Sequence, residues 1–429
     1  MAELDRVLKK YTDPLEGGIH GATFVAVDRN TIYSKSFGSR TVDGLDRLTP
    51  DTLTWTASLS KLATAVAVMQ VVENGLIGLD DDVRNFVPKL KDLKVLIGWE
   101  GDEEGGLEPN MGVFNQGDYP ELHKQSKPKG SPIMEEIKGK ITLRHLLTNS
   151  SGFCYDLTSP LVTKWSAWVS RKENMFSGKI GFPHPLIYQP GTSWQYGCGI
   201  DWAGQVVEAV TSLSLEAYMQ KNIWQPLGCA NTTFLPVEHF QAIPPLHETA
   251  EYDPSKPLSR VNSIWSTDKQ DAIGGAGLYS TANDYSRLLA ALLHGGNPIL
   301  MQKSVDELFS PQLASDSLSL VALRQFMLQG GEGSLSNIWR SPQPATSDKS
   351  EMSIDINHTL GGTVVLSDIP GRRRSGTLNF AGLPNLFWWI DRETGVAATL
   401  FTQVMPSNNS FCINLAVELE TELYKILLG

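Results

Sequence analysis

The sequence predicts an α+β fold: an antiparallel sheet built from both ends of the chain, flanked by terminal helices, with a mainly helical unit inserted between. Three observations carry this. Residues 22–27 and 31–37 are two apolar, β-prone runs joined by Asp28-Arg29-Asn30, the turn chemistry of a hairpin. Residues 386–391 and 396–404 form a second apolar pair around Arg392-Glu393-Thr394-Gly395. Between these pairs, apolar residues recur mainly at helical spacing.

In chain order, residues 2–11 read as a short polar amphipathic helix rather than a basic segment followed by an apolar one. No secretory leader is expected, and a cytoplasmic setting follows. The division predicted is 1–80 and 270–429 for the sheet-bearing unit and 81–269 for the helical one. Residues 98–133, crowded with Gly, Pro, Glu and Lys, and 329–356, rich in Ser, Gly, Pro and Asp, are long loops and candidates for a lid or site rim. The final stretch, 411–428, repeats Leu415, Leu419, Leu423 and Ile426 at helical spacing.

Composition removes several classes of function. A net charge of -11 argues against a sequence-independent grip on nucleic acid or an anionic membrane. No apolar run is long enough to span a bilayer. Cys154, Cys198, Cys229 and Cys412 are far apart, as reduced thiols would be, with neither disulfide-framework nor zinc spacing. H-E-x-x-H, G-x-S-x-G, the P-loop and a dinucleotide fingerprint are all missing, so no metal or cofactor is expected. Most of the eleven Trp are expected in the core, with several left to line a pocket for apolar groups.

Ser58-Leu59-Ser60-Lys61 opens a helical stretch in which Leu62, Val66, Met69 and Val72 form an apolar stripe, stopped by Asn74-Gly75. Positions 58 and 61 lie one helical turn apart, so the Lys61 amine can reach the Ser58 hydroxyl. A serine hydroxyl is a poor nucleophile, and a neutral lysine beside it supplies the base. The pattern S-x-x-K also occurs at Ser126 and Ser266, but neither runs into a comparable apolar helix. Tyr196, in a turn-rich segment before the helical pattern 200–210, is a phenol able to relay a proton. Gly376-Thr377-Leu378-Asn379-Phe380-Ala381-Gly382-Leu383-Pro384-Asn385 leads into an apolar strand, whose edge can offer a backbone N–H to an oxyanion. Its small residues leave room for substrate to approach the backbone.

In this order, the three segments resemble those of the serine β-lactamase, penicillin-binding protein and class C-type esterase superfamily, over roughly residues 20–425. The stretches 140–152 and 274–284 add to the likeness. Within the superfamily the chain most resembles the fungal statin side-chain acyltransferases, through Trp194-Gln195-Tyr196-Gly197, Ile200-Asp201-Trp202-Ala203-Gly204, and Pro384-Asn385 to Trp388 with Ile390-Asp391. The resemblance implies a β-lactamase/transpeptidase-like fold and an acyl-Ser58 intermediate, with Lys61 and Tyr196 as general base pair. It further implies an oxyanion hole from the N–H groups of Ser58 and Leu383, and substrate contacts at Phe380, Gly382, Trp388 and Cys198.

Departures from the superfamily pattern narrow the chemistry. Cys198 stands where Y-x-N enzymes keep an amide. Phe380-Ala381-Gly382 replaces K-T-G and loses the lysine that pairs with a substrate carboxylate. Asn149 stands where a histidine is common. Activity on penicillins or D-Ala-D-Ala peptides is therefore disfavoured, and neutral or thioester acyl donors fit better. The expected function is a serine acyltransferase moving an acyl group onto a natural-product alcohol or amine. The alternatives are an esterase or thioesterase using the same acyl-enzyme, and a non-catalytic binding or assembly protein. The expected partners are a small-molecule acyl donor and acceptor. An acyl-carrier protein is an optional donor, with Arg372-Arg373-Arg374 as its candidate docking patch.

Overall fold

Seven strands account for the apolar pairs at the two chain ends: β1 (Gly21–Val27), β2 (Thr31–Gly38), β3 (Ile356–His358), β4 (Thr363–Val365), β5 (Leu378–Gly382), β6 (Leu386–Asp391) and β7 (Val396–Phe401). In the computed structural model, which describes residues 1–101, 127–328, 338 and 355–429, they form one antiparallel sheet in the order β2-β1-β7-β6-β5-β4-β3. The two ends meet at its centre, where Thr23 pairs with Phe401 and Val27 with Ala397.

Every residue of β1, β6 and β7 is buried, because both faces of the sheet are covered. Side chains alternate between the faces. Phe24, Ala26, Trp389 and Leu400 pack with the terminal helices α1 (Ala2–Thr12) and α5 (Ser410–Leu428). Val25, Val27, Trp388, Ile390 and Phe401 face the larger core, shared with α2 (Ser60–Glu73), α3 (Gly199–Thr211) and α4 (Ala282–Leu293). Eight of the ten tryptophans among the described residues are buried, so most of them are core residues, as the composition suggested.

Three expectations change. The stretch 396–404 is not one strand. After Phe401, the Thr402 hydroxyl turns to the carbonyls of Pro384 and Asn385, and Val404–Met405 leaves to pair in parallel with Thr249–Glu251. The ends of the 98–133 stretch are also not loop, because Val95–Trp99 and Pro132–Glu135 pair antiparallel. The rest of that stretch (102–126), and residues 329–337 and 339–354 of the other long loop, lie outside the described residues, and the lid or rim role falls there. Finally, α2 carries no single stripe. Ser60 to Val71 are all buried, since its Ala, Ser and Thr positions pack as tightly as its Leu and Val.

Candidate active site

Ser58 sits in a single 3-10 turn, Ala57–Leu59, that precedes α2 rather than in the helix itself. The turn is fixed from both sides. Thr54 and Trp55 pair with Ser280 and Tyr279, and the Thr56 N–H and hydroxyl both donate to the Leu278 carbonyl, at 2.9 and 2.8 Å. Ser60 Oγ donates to Ala57 O at 2.5 Å and accepts from the Leu278 N–H at 3.0 Å. These bonds hold Ala57 at φ 47°, a left-handed conformation that costs a non-glycine residue roughly 1–3 kcal/mol. A serine on so constrained a turn is held in place before substrate arrives.

Lys61 is buried one turn on. Its Nζ donates to Gly275 O at 2.6 Å, to the Tyr155 hydroxyl at 3.0 Å and to Ser58 Oγ at 3.4 Å. From the other side, the Tyr196 hydroxyl donates to Ser58 Oγ at 2.6 Å. The Lys61 Nζ also lies 4.7 Å from the centre of the Tyr196 ring. Three residues separated by up to 138 positions thus meet at one hydroxyl. Tyr196 is carried there by a segment tied to Asn149, whose carbonyl accepts from the Gln195 N–H and the Tyr188 hydroxyl, both at 3.0 Å. Asn149 has φ 57°, which asparagine tolerates better than most residues.

Leu383 begins the turn after β5, and the end of β5 lies directly against the Ser58 turn. A Cβ on Gly382 would stand 2.8 Å from Leu59 Cδ1 and 3.0 Å from Thr56 O. The space on the Cβ side of Gly382 is therefore filled by the nucleophile's own turn. Phe380 is half-buried, and its ring centre is 6.1 Å from that of Tyr196, where the lysine of K-T-G would put a charge. Phe326, 6.4 Å from the Tyr196 ring, adds a second apolar face that the sequence did not single out.

Two expected substrate contacts are corrected. Cys198 is fully buried: its thiol donates to Cys154 O at 3.2 Å and lies 3.6 Å from His184 Nε2. Burial pushes that thiol well above its usual range, so it is an inert core group. Trp388 is buried as well, across the strand pair from Phe380 in the larger core, so it backs Phe380 and leaves almost no surface of its own for substrate. The arginine triplet is corrected too. Arg372 and Arg373 are each 2% exposed and both bind Glu420 of α5, at 2.6 and 2.7 Å. Only Arg374 reaches solvent, and it pairs with Asp368 at 2.8 Å. A buried ion triplet cannot dock a carrier protein.

Sequence reasoning missed Tyr155 and Asp201. The buried Tyr155 hydroxyl donates to Asp201 Oδ2 at 3.2 Å, and the Gly275 N–H donates to Asp201 Oδ1 at 2.7 Å. Burial raises the Asp201 carboxyl to about 6, with Lys61 opposing the rise. The signal was there to be read: an aspartate inside the apolar run Ile200-Asp201-Trp202-Ala203. Of the competing S-x-x-K motifs, Ser266 is exposed and Lys269 is turned to the Phe176 carbonyl at 2.6 Å, while Ser126 lies outside the described residues. Among the described residues no group of three His, Cys, Asp or Glu is placed to hold a metal, and no helix is long and apolar enough to cross a membrane.

Residues 4–423 match the family model described as Beta-lactamase. The chain belongs to the β-lactamase family. As a member it is an enzyme of the serine hydrolase and acyltransferase superfamily built on this α+β fold. Among its relatives, the monacolin J acid methylbutanoyltransferase of Aspergillus terreus is 31% identical over 95% of this chain and 92% of its own. The lovastatin esterase of Penicillium rubens is 30% identical over 95% of both. The unliganded simvastatin synthase of Aspergillus terreus, 29% identical, superimposes over 99% of this chain and 98% of its own with a TM-score of 0.81. A transferase and an esterase thus stand at the same distance from this β-lactamase family member.

Proposed function

We propose that this β-lactamase family enzyme transfers a neutral, apolar acyl group through an acyl-Ser58 ester onto the hydroxyl or amine of a natural product. The contact of Tyr196 with Ser58 Oγ, with Lys61 on the other side of the same oxygen, carries the reading. A proton leaves Ser58 Oγ for the Lys61–Tyr196 pair as Oγ attacks the acyl carbonyl. The oxyanion is received by the N–H groups of Ser58 and Leu383; those at the start of a turn have no acceptor within it. As the tetrahedral intermediate collapses, the proton passes to the leaving alkoxide or thiolate. The acceptor then enters, loses its proton to the same pair, and takes the acyl group from Ser58.

Phe380 and Phe326 beside Tyr196 favour an apolar acyl chain and offer no cation to a carboxylate. With Arg372 and Arg373 buried, the donor reads as a small thioester or ester rather than a carrier-bound one. The four cysteines are all buried free thiols, in keeping with a cytoplasmic setting. Hydrolysis of the same acyl-enzyme is the second reading, favoured by the esterase among the relatives. Intact mass after incubation with a fluorophosphonate tests the nucleophile: one adduct is expected on the native chain and none on Ser58→Ala. An undiminished adduct on Ser58→Ala refutes the assignment. A butyryl thioester supplied with and without monacolin-type alcohols separates transfer from hydrolysis by whether ester or only free acid accumulates.

A further inference from the structure

Lys61 and Asp201 do not touch, yet they are joined twice. One bridge is the Tyr155 hydroxyl, which accepts from Lys61 Nζ at 3.0 Å and donates to Asp201 Oδ2 at 3.2 Å. The other is the Gly275 peptide group, whose carbonyl accepts from Lys61 Nζ at 2.6 Å and whose N–H donates to Asp201 Oδ1 at 2.7 Å. The result is a closed ring in which both carboxylate oxygens are used and two Lys61 N–H bonds are directed. The remaining position on Nζ faces Ser58 Oγ, 3.4 Å away, where the lone pair of the reacting amine accepts the serine proton.

We propose that Asp201 is a positioning residue for the reaction, holding the Lys61 amine towards Ser58 through paired bridges at Tyr155 and Gly275. The inference rests on the acyl-Ser58 reading above. Its geometry explains the glycine: a Cβ on Gly275 would stand 2.4 Å from Asp201 Oδ2 and 2.7 Å from Oδ1, forcing the carboxylate off its bridge. It also explains why an acidic group is held in the core. When Lys61 takes the Ser58 proton, a positive charge forms in a low-dielectric site, and a carboxylate two hydrogen bonds away offsets it without competing for the proton. The ionisable groups facing this carboxylate are Lys61 of α2, Tyr155 and Cys198. Of these only Lys61 becomes cationic in the reaction.

The test is the rate of the p-nitrophenol burst from p-nitrophenyl butyrate, measured between pH 5 and 8 in the full chain. In Asp201→Asn the acylation rate constant falls roughly 10- to 100-fold with KM within about twofold, the scale of a misplaced catalytic group. The native rate falls as pH drops below about 6, where Asp201 gains its proton, and Asp201→Asn lacks that fall. Tyr155→Phe keeps the ring and one bridge, so it gives a smaller loss and retains the fall. An Asp201→Asn variant with the native rate and pH profile overturns the proposal. If that variant does not fold, Tyr155→Phe decides: a native acylation rate there is the overturning result. A native chain that neither bursts nor takes the phosphonate on Ser58 defeats the acyl-Ser58 reading, whereas a native chain that does both and is indifferent to Asp201 defeats only this one.

Discussion

Replacing Gly382 by Ala perturbs the catalytic turn without touching any reacting atom. Gly382 ends β5, and the added Cβ meets Leu59 Cδ1 at 2.8 Å and Thr56 O at 3.0 Å. To regain ordinary contact, the leucine methyl must retreat by about 0.6 Å and the carbonyl by about 0.4 Å. The methyl can rotate away, but the carbonyl cannot, because it accepts the Leu59 N–H at 3.0 Å and closes the turn that carries Ser58. The displacement therefore passes to Ser58, while Lys61 and Tyr196 stay on their own supports. A misplacement near 1 Å costs on the order of 100-fold, so about half that distance lowers the acylation rate roughly tenfold. Overpacking of this kind also lowers stability by about 1–3 kcal/mol. The assay is the p-nitrophenyl butyrate burst rate beside urea unfolding, with Gly98→Ala as control, where the nearest atom to a Cβ is 3.7 Å away. A Gly382→Ala enzyme with native burst rate and native unfolding midpoint refutes the claim that β5 buttresses the nucleophile.

Further outcomes follow from groups outside the reacting centre. Cys198→Asn, which restores the amide of Y-x-N, places a larger polar group where a thiol is packed against Cys154 O and His184; it destabilises by about 1–3 kcal/mol and yields no nitrocefin hydrolysis. Glu420→Ala leaves Arg372 and Arg373 buried without their carboxylate and costs about 3–5 kcal/mol in urea unfolding, while burst kinetics at 25 °C in the folded fraction stay native. Stability also declines in two acid windows. Burial holds His20, His184 and His358 at about 4, below their usual 6.5, so the unfolded chain gains protons first and stability falls from about pH 6.5 to 4. The two arginines hold Glu420 at about 2 against an ordinary 4.5, so its contribution, complete above about pH 4.5, is lost towards pH 2. Unfolding free energies measured across this range that stay flat contradict both.

The nucleophile was legible because its evidence is local. A three-residue spacing puts Lys61 near Ser58 in a helix or a 3-10 turn alike, so misplacing the helix start did no harm. The sheet was legible for a similar reason: strands buried on both faces read as continuous apolar runs, and β6 falls at 386–391 as expected. Tyr155 and Asp201 were not legible as partners, because only the folded packing brings Tyr155, 94 positions from Lys61, to its amine, and Asp201, 46 positions further on, to the Tyr155 hydroxyl. The arginine triplet misled in the opposite sense. Three consecutive cations look solvated until Glu420, some 48 positions later, is folded over them. Cys198 and Trp388 were placed at the site by the resemblance of their motifs, but a motif fixes where the backbone goes and not which way each side chain points.

The pairing of β1 with β7 has a consequence for how the enzyme comes into being on the ribosome. The hairpin of β1 and β2 emerges first, but the strand that covers its inner edge is made some 370 residues later, with Phe401 opposite Thr23. At ordinary elongation rates of about 5–20 residues per second, that edge waits for roughly 20–75 s. The nascent chain thus carries an open, apolar strand edge, the kind of surface that recruits chaperones or invites aggregation. Leu383, with the β5 strand that braces Ser58, is also translated late. Serine, lysine and both tyrosines are in hand more than 180 residues before Leu383 is made, yet the catalyst is completed only with it.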